Sequence, residues 1–116
     1  MARAVSRIFF EKMPAEFNPA AVNSDFVVQY DIGGEEGAPY YVEVRDRTYH
    51  ASMGNHATPT VRVTIHASDW LRLHSGELGS ARAYLTGKLK VSGDMKLARR
   101  LATIFPITTS GASPNR

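Results

Sequence analysis

The chain has 116 residues, 43% of them hydrophobic, no cysteine, and a formal net charge of +3. That size argues for one domain with a real core, and the missing cysteine excludes disulfides and thiolate metal sites. No run approaches the ~18–20 apolar residues of a membrane span, the opening Met1-Ala2-Arg3-Ala4-Val5-Ser6-Arg7 lacks the apolar core of a secretion signal, and the closing Ser113-Pro114-Asn115-Arg116 matches no Ser-Lys-Leu address, so a soluble cytoplasmic protein is expected.

The spacing of Val5, Ile8, Phe9 and Met13 predicts a first helix over 3–13, ended by Pro14. A connector with a helical turn at Pro19-Ala20-Ala21-Val22 follows. Phe26, Val28, Tyr30 and Ile32 alternate with Val27, Gln29 and Asp31, which predicts a strand with one apolar and one more polar face. Three glycines in Gly33-Gly34-Glu35-Glu36-Gly37 suit a hairpin. The next strand puts Tyr40, Val42 and Val44 on one face. After the tight turn Arg45-Asp46-Arg47, a third strand alternates Tyr49, Ala51 and Met53 with His50 and Ser52.

Beyond a break at residues 54–59, Val61, Val63 and Ile65 mark a fourth strand. Two short helices are expected over 69–74 and 81–86, capped by Ser68 and Ser80 and closed by Gly76 and Gly87. Leu89 and Val91 form a fifth strand. Asp94 opens a last helix with Leu97, Ala98, Leu101, Ile104 and Phe105 on one side and Lys96, Arg99, Arg100 and Thr103 on the other; Pro106 stops it. The order is helix, three hairpin-linked strands, a crossover to a fourth, two short helices, a fifth strand and a helix. This is an α+β domain over residues 1–106, one sheet face covered by helices and the other facing water, with a short flexible tail over 107–116.

Charge is unevenly spread. Residues 1–46 hold four Lys or Arg against eight Asp or Glu, and residues 47–116 hold ten against three. Arg82, Lys88, Lys90, Lys96, Arg99 and Arg100 stand together against Asp94 alone. Such a cluster suits a solvated face, an anionic membrane or a partner such as a biosynthetic enzyme. Nucleic acid is not the expected partner: there is no motif, and Tyr84 and Phe105 are read as core residues rather than stacking platforms.

Catalytic signatures are missing. His50, His56, His66 and His74 show no metal-ligand spacing and read as surface residues, so neither a metal nor another cofactor is expected. No Gly-x-Ser-x-Gly elbow occurs, and Glu35-Glu36 sits in a turn where both carboxylates are solvated. Met53 and Met95 are flexible gap-fillers of the kind that let a pocket wall adapt to varied ligands.

Thr86-Gly87-Lys88-Leu89-Lys90-Val91-Ser92-Gly93-Asp94-Met95-Lys96-Leu97-Ala98 closely resembles the C-terminal signature of the sterol carrier protein (type 2) lipid-transfer family. Ser68-Asp69-Trp70-Leu71-Arg72-Leu73-His74-Ser75-Gly76 and Phe10-Glu11-Lys12-Met13-Pro14 are similar to family segments in the same order. The resemblance implies a five-stranded mixed sheet with helices over one face and an apolar tunnel between them. It also implies non-catalytic binding of fatty acid, fatty acyl-CoA, sterol or isoprenoid. Carried over by position, the lining would be Phe9, Met13, Val42, Val44, Trp70, Leu101 and Phe105, with Arg7 and Arg72 as head-group cations. The alternative expectation is an accessory interaction or scaffold module with a filled interior.

Overall fold

Five strands form one mixed sheet in the spatial order β3-β2-β1-β4-β5, with β1 at Phe26–Gly33, β2 at Pro39–Arg45, β3 at Thr48–Met53, β4 at Val61–His66 and β5 at Leu89–Gly93. The computed structural model describes residues 3–107; the tail expected from Ile107 onward lies, after Ile107 itself, outside the described residues. β1 runs antiparallel to β2 and parallel to β4, so the expected crossover falls between β3 and β4. The β2–β3 hairpin turns on Asp46 and Arg47, both with positive φ, the conformation that matches a two-residue connection to the twist of its strands.

Alternation decides the faces. Phe26, Val28, Tyr30 and Ile32 on β1, Tyr40, Val42 and Val44 on β2, and Val61, Val63 and Ile65 on β4 are all buried on the helix-covered side. The register sets Tyr40, Tyr30, Val63 and Val91 in one row across four strands, and Ile32, Ile65 and Leu89 in another. On the opposite face Arg62 and Thr64 are exposed. Gln29, expected to be polar and outward, is fully buried there. The 54–56 segment covers it: its Nε2 donates to Gly54 O at 3.1 Å and its Oε1 accepts from His56 N at 2.8 Å, so its amide is satisfied without water.

The first helix does not stop at Pro14. It begins as α1 (Arg3–Arg7), widens into π turns over Ile8–Lys12, and resumes as α2 (Met13–Glu16). The π hydrogen bond from Met13 N to Ile8 O shifts the ladder, and Pro14 falls in the first turn of α2, where its missing N–H is tolerated. Tyr49 Oη donates to the carbonyl of Phe9 within the widened stretch at 2.7 Å.

Helix α3 (Ala67–Ser75) starts earlier than expected, and its cap is His66 rather than Ser68: His66 Nδ1 accepts from Ser68 N at 3.1 Å. Gly76, at φ 89°, gives the expected left-handed stop. Helix α4 (Ser80–Leu85) includes Ser80 in its first turn and follows Gly79, without a side-chain cap. Helix α5 (Met95–Ile104) is capped as expected, Asp94 Oδ1 accepting from Lys96 N at 3.0 Å and Leu97 N at 3.2 Å. Just before it, Gly93 has φ 104°, and a Cβ there would stand 2.5 Å from Thr60 O. Only glycine permits this approach of β5 to the start of β4.

Candidate functional site: an apolar cavity under α5

The two ends of the covered sheet face are filled differently. Over β1 and β2 the packing is dense. The Phe9 ring is sandwiched between Tyr40, at 4.4 Å between centroids, and Trp70, at 4.8 Å, with Tyr30 edge-on at 5.0 Å. Such aromatic pairs contribute ~0.5–1.5 kcal/mol each beyond area burial. Over β4 and β5 the packing opens into a cavity of about 790 Å³.

Each wall comes from one element. The sheet supplies Tyr30, Val63, Leu89 and Val91 as the floor. Helix α3 supplies Trp70, Leu73 and His74; α4 supplies Ser80, Ala81 and Tyr84; α5 supplies Met95, Ala98, Arg99, Leu101 and Ala102 as the roof. Met13, Phe105 and Ile107 complete the lining. Leu89 and Val91 remain only half-buried because the space above them is open.

Of the residues placed in the lining by resemblance, Met13, Trp70, Leu101 and Phe105 border the cavity. Phe9, Val42 and Val44 lie in the closed part of the core, each with no more than 1% of its surface exposed. Arg7 is on the surface, 3.5 Å from Glu11, and Arg72 pairs with Asp69 at 3.3 Å and Glu77 at 3.7 Å. The cation that borders the cavity is Arg99. It makes no ion pair among the described residues. Met53, read as a gap-filler, is largely exposed on the edge strand, and Tyr84, read as core, is half exposed at the cavity rim.

His74 is the main correction to the surface reading of the histidines. It is buried in the cavity wall with its ring 4.5 Å from that of Trp70. Lys12 Nζ lies 3.0 Å from the Glu16 carboxylate and donates to His74 Nδ1 at 3.1 Å. An ammonium can only donate, so Nδ1 is the acceptor and the ring proton sits on Nε2. Burial first, and the Lys12 charge second, push the His74 pKa from its ordinary 6.5 down to about 3. The imidazole is therefore neutral at physiological pH. Tyr30, also in the wall, has its phenol pKa raised by burial. The Trp70 indole N–H is buried with no hydrogen-bond partner among the described residues.

The cavity floor was open to sequence reasoning. The alternation of Val63 and of Leu89 with Val91 marks the covered face, and the strand order aligns them with Tyr30. What the pattern lacks is any difference between a covered residue that touches a neighbour and one that touches empty space.

Among the described residues there is no group of three or more His, Asp or Glu placed to hold a metal ion. No helix among them is long and apolar enough to cross a membrane.

Residues 11–106 match the model of the SCP-2 sterol transfer family. The chain is similar to sterol carrier protein 2 like 2 from Aedes aegypti, with a TM-score of 0.72 and 27% identity over 88% of this chain and 96% of that one. The palmitated form of that mosquito protein gives a TM-score of 0.68 and 26% identity over 86% and 93%. Hydroxysteroid dehydrogenase-like protein 2 from Xenopus laevis is 27% identical over 98 residues. Those residues are 83% of this chain and 24% of the frog protein, so the chain spans about a quarter of the length of that curated relative. The family match, together with a mixed sheet whose helices roof an apolar cavity, makes this chain a member of the SCP-2 sterol transfer family.

Proposed function

We propose that the protein is a non-catalytic carrier that takes a single-chain lipid, a fatty acid or its acyl derivative, into the cavity between α5 and the β4–β5 half of the sheet. The observation that carries this reading is the cavity itself. Its volume of about 790 Å³ falls within the ~300–1,000 Å³ common for small-molecule sites, and aliphatic and aromatic side chains make most of its wall. A similar chain, the Aedes aegypti protein, is known in palmitated form. Burial of methylene groups contributes ~0.8 kcal/mol each, so a chain of about fifteen gains ~12 kcal/mol before the costs of association. The gain depends little on specific contacts.

Orientation comes from the few polar groups. Arg99 at the cavity edge suits an anionic head, pairing with a carboxylate or phosphate. The His74 Nε2–H and the Tyr30 hydroxyl offer hydrogen bonds inside the wall without placing a charge there. Chain length and rigid-ring content then decide the choice between acyl, sterol and isoprenoid ligands. An open cavity of this size also weighs against a scaffold module with a filled interior.

Titration of delipidated protein with palmitate, followed by calorimetry and by Trp70 emission, tests the reading. One-to-one binding with a change in Trp70 emission is expected, and Arg99→Gln should weaken palmitate more than a neutral analogue. Failure to bind any of several acyl, sterol and isoprenoid ligands would sink it.

A further inference from the structure

The polar residues that line the cavity fall into two sets. Ser80, Tyr84 and Arg99 are exposed. Tyr30, Trp70 and His74 line it too, yet they are only 5%, 4% and 7% exposed. Trp70 and His74 lie one helical turn apart on α3 and so share a face. The Trp70 ring stands 5.3 Å from that of Tyr30 and 4.5 Å from that of His74. The three rings therefore form one continuous strip of buried wall.

Each member of the strip has a hydrogen to donate, and none gives it to the described protein. The Trp70 indole N–H is buried without a hydrogen-bond partner. The Tyr30 hydroxyl and the His74 Nε2–H have none among the described residues. The donor role of His74 is set from behind. Lys12, at the end of the π turns, donates to Nδ1 at 3.1 Å and leaves the ring proton on Nε2. That contact also polarises the imidazole, which strengthens Nε2–H as a donor. Glu16, 3.0 Å from Lys12 Nζ, balances the ammonium charge. The strip is thus rich in donors and carries no net charge.

We propose that Tyr30 and His74, with Trp70 between them, form a subsite that selects lipids carrying an uncharged acceptor oxygen, a ketone or a hydroxyl, on the buried part of the chain or ring. The proposal rests on the carrier reading of the cavity and narrows its ligand class. A buried donor without an acceptor has lost its water and gained nothing, and a ligand oxygen repairs that loss. Carbonyl oxygen is the best match, because it accepts without bringing a hydrogen of its own. A carboxylate is a poor match: it would be desolvated beside a lysine already paired with Glu16. The anionic head therefore belongs at exposed Arg99 and the neutral oxygen at the strip.

Calorimetric titration of the delipidated full chain tests this. The ligands are palmitate, mono-oxo palmitates with the carbonyl at mid-chain or near the methyl end, and the matching hydroxy palmitates. The better-placed oxo acid should bind roughly tenfold tighter than palmitate, with its hydroxy counterpart between them. A wall without usable donors gives the opposite order, since the carbonyl would lose its water and find no replacement. Tyr30→Phe keeps the ring and removes the hydroxyl; His74→Phe removes the imidazole donor. Each should lower the ratio of oxo to palmitate affinity by roughly threefold or more. A ratio taken within one variant cancels any general loss of affinity. The infrared band of an isotope-labelled carbonyl in the bound oxo acid should lie below its position in hexane and rise in Tyr30→Phe. Oxo acids that bind no tighter than palmitate, or a ratio unchanged in both variants, would overturn the subsite. Palmitate bound one to one without any oxo preference refutes the subsite and leaves the carrier reading standing. Binding of none of these acids refutes both.

Discussion

The β1–β2 half of the sheet and the β4–β5 half are built from the same kinds of residue and end in opposite states. Over β1 and β2, the Phe9 ring is held between Tyr40 and Trp70 with no room to spare. Over β4 and β5, Leu89, Val91, Ala98 and Leu101 face one another across a cavity. The difference comes from the covering elements. The long first helix with its π turns lays large aromatic side chains directly on the sheet. Helices α4 and α5 offer small residues, Ala81, Ala98 and Ala102, where large ones would be needed to fill the gap. One half is closely packed, and the other leaves an apolar space, which the proposed function gives to a ligand.

That division predicts where substitutions act. The largest effect belongs to the dense half: Phe9→Ala should lower unfolding free energy by ~3–5 kcal/mol in a denaturant titration, because the tight site cannot collapse around the loss. Leu101→Ala, on the cavity wall, should cost far less stability than Phe9→Ala. Equal costs would mean that the two halves are packed alike.

His74 sits at the boundary between the halves, and its effect is a pH dependence. Its folded-state pKa, about 3, lies below its ordinary value of 6.5. The folded protein therefore resists protonation that the unfolded chain accepts. The resulting stability is fully present above about pH 6.5 and is lost as pH falls toward about 3, at ~1.4 kcal/mol per pH unit. Between pH 7 and pH 5 the loss is ~2 kcal/mol. Over this window the parent should lose ~2 kcal/mol more stability than His74→Gln. Parallel curves would place the ring in contact with water.

Filling the hollow half separates stability from binding. Ala98→Trp projects a large ring from α5 into the cavity. It should weaken palmitate binding at least ~tenfold, while unfolding free energy changes by less than ~1 kcal/mol because empty space receives the ring. A destabilisation of several kcal/mol with binding retained would show that the space is already occupied by packed side chains.

The smallest effect is on the roof. Asp94→Ala removes the cap of α5 and should cost ~1 kcal/mol, with faster ligand exchange in stopped-flow displacement. Unchanged stability would mean that the start of α5 is held by other contacts.

Much of the architecture was legible in the sequence because strand faces follow a period of two and apolar helix stripes a period near 3.6. The sheet faces, the crossover to β4 and the Asp94 cap all come from local pattern. Features that depend on distant packing did not. Pro14 marks a helix end by local rules, yet the π turns before it carry the helix through. Gln29 and His74 carry polar labels, but the 54–56 segment and the Lys12 side chain, each far away in sequence, make their burial tolerable. Phe9 and Leu101 are both apolar residues at helical spacing; whether such a residue ends in packed core or at a cavity wall depends on what stands opposite. The same holds for cations. Arg7 and Arg72 have carboxylates within helical reach, whereas Arg99 has none on α5 and borders the cavity.

The most direct test of the central claim is paramagnetic broadening of backbone amide signals by a fatty acid carrying a nitroxide along its chain. The proposed site is the hollow half of the protein, so broadening should concentrate at Val63, Leu89, Val91, Ala98 and Leu101 and spare Val42 and Val44. Broadening centred on Val42 and Val44, or no broadening beside a saturating ligand, would contradict the account.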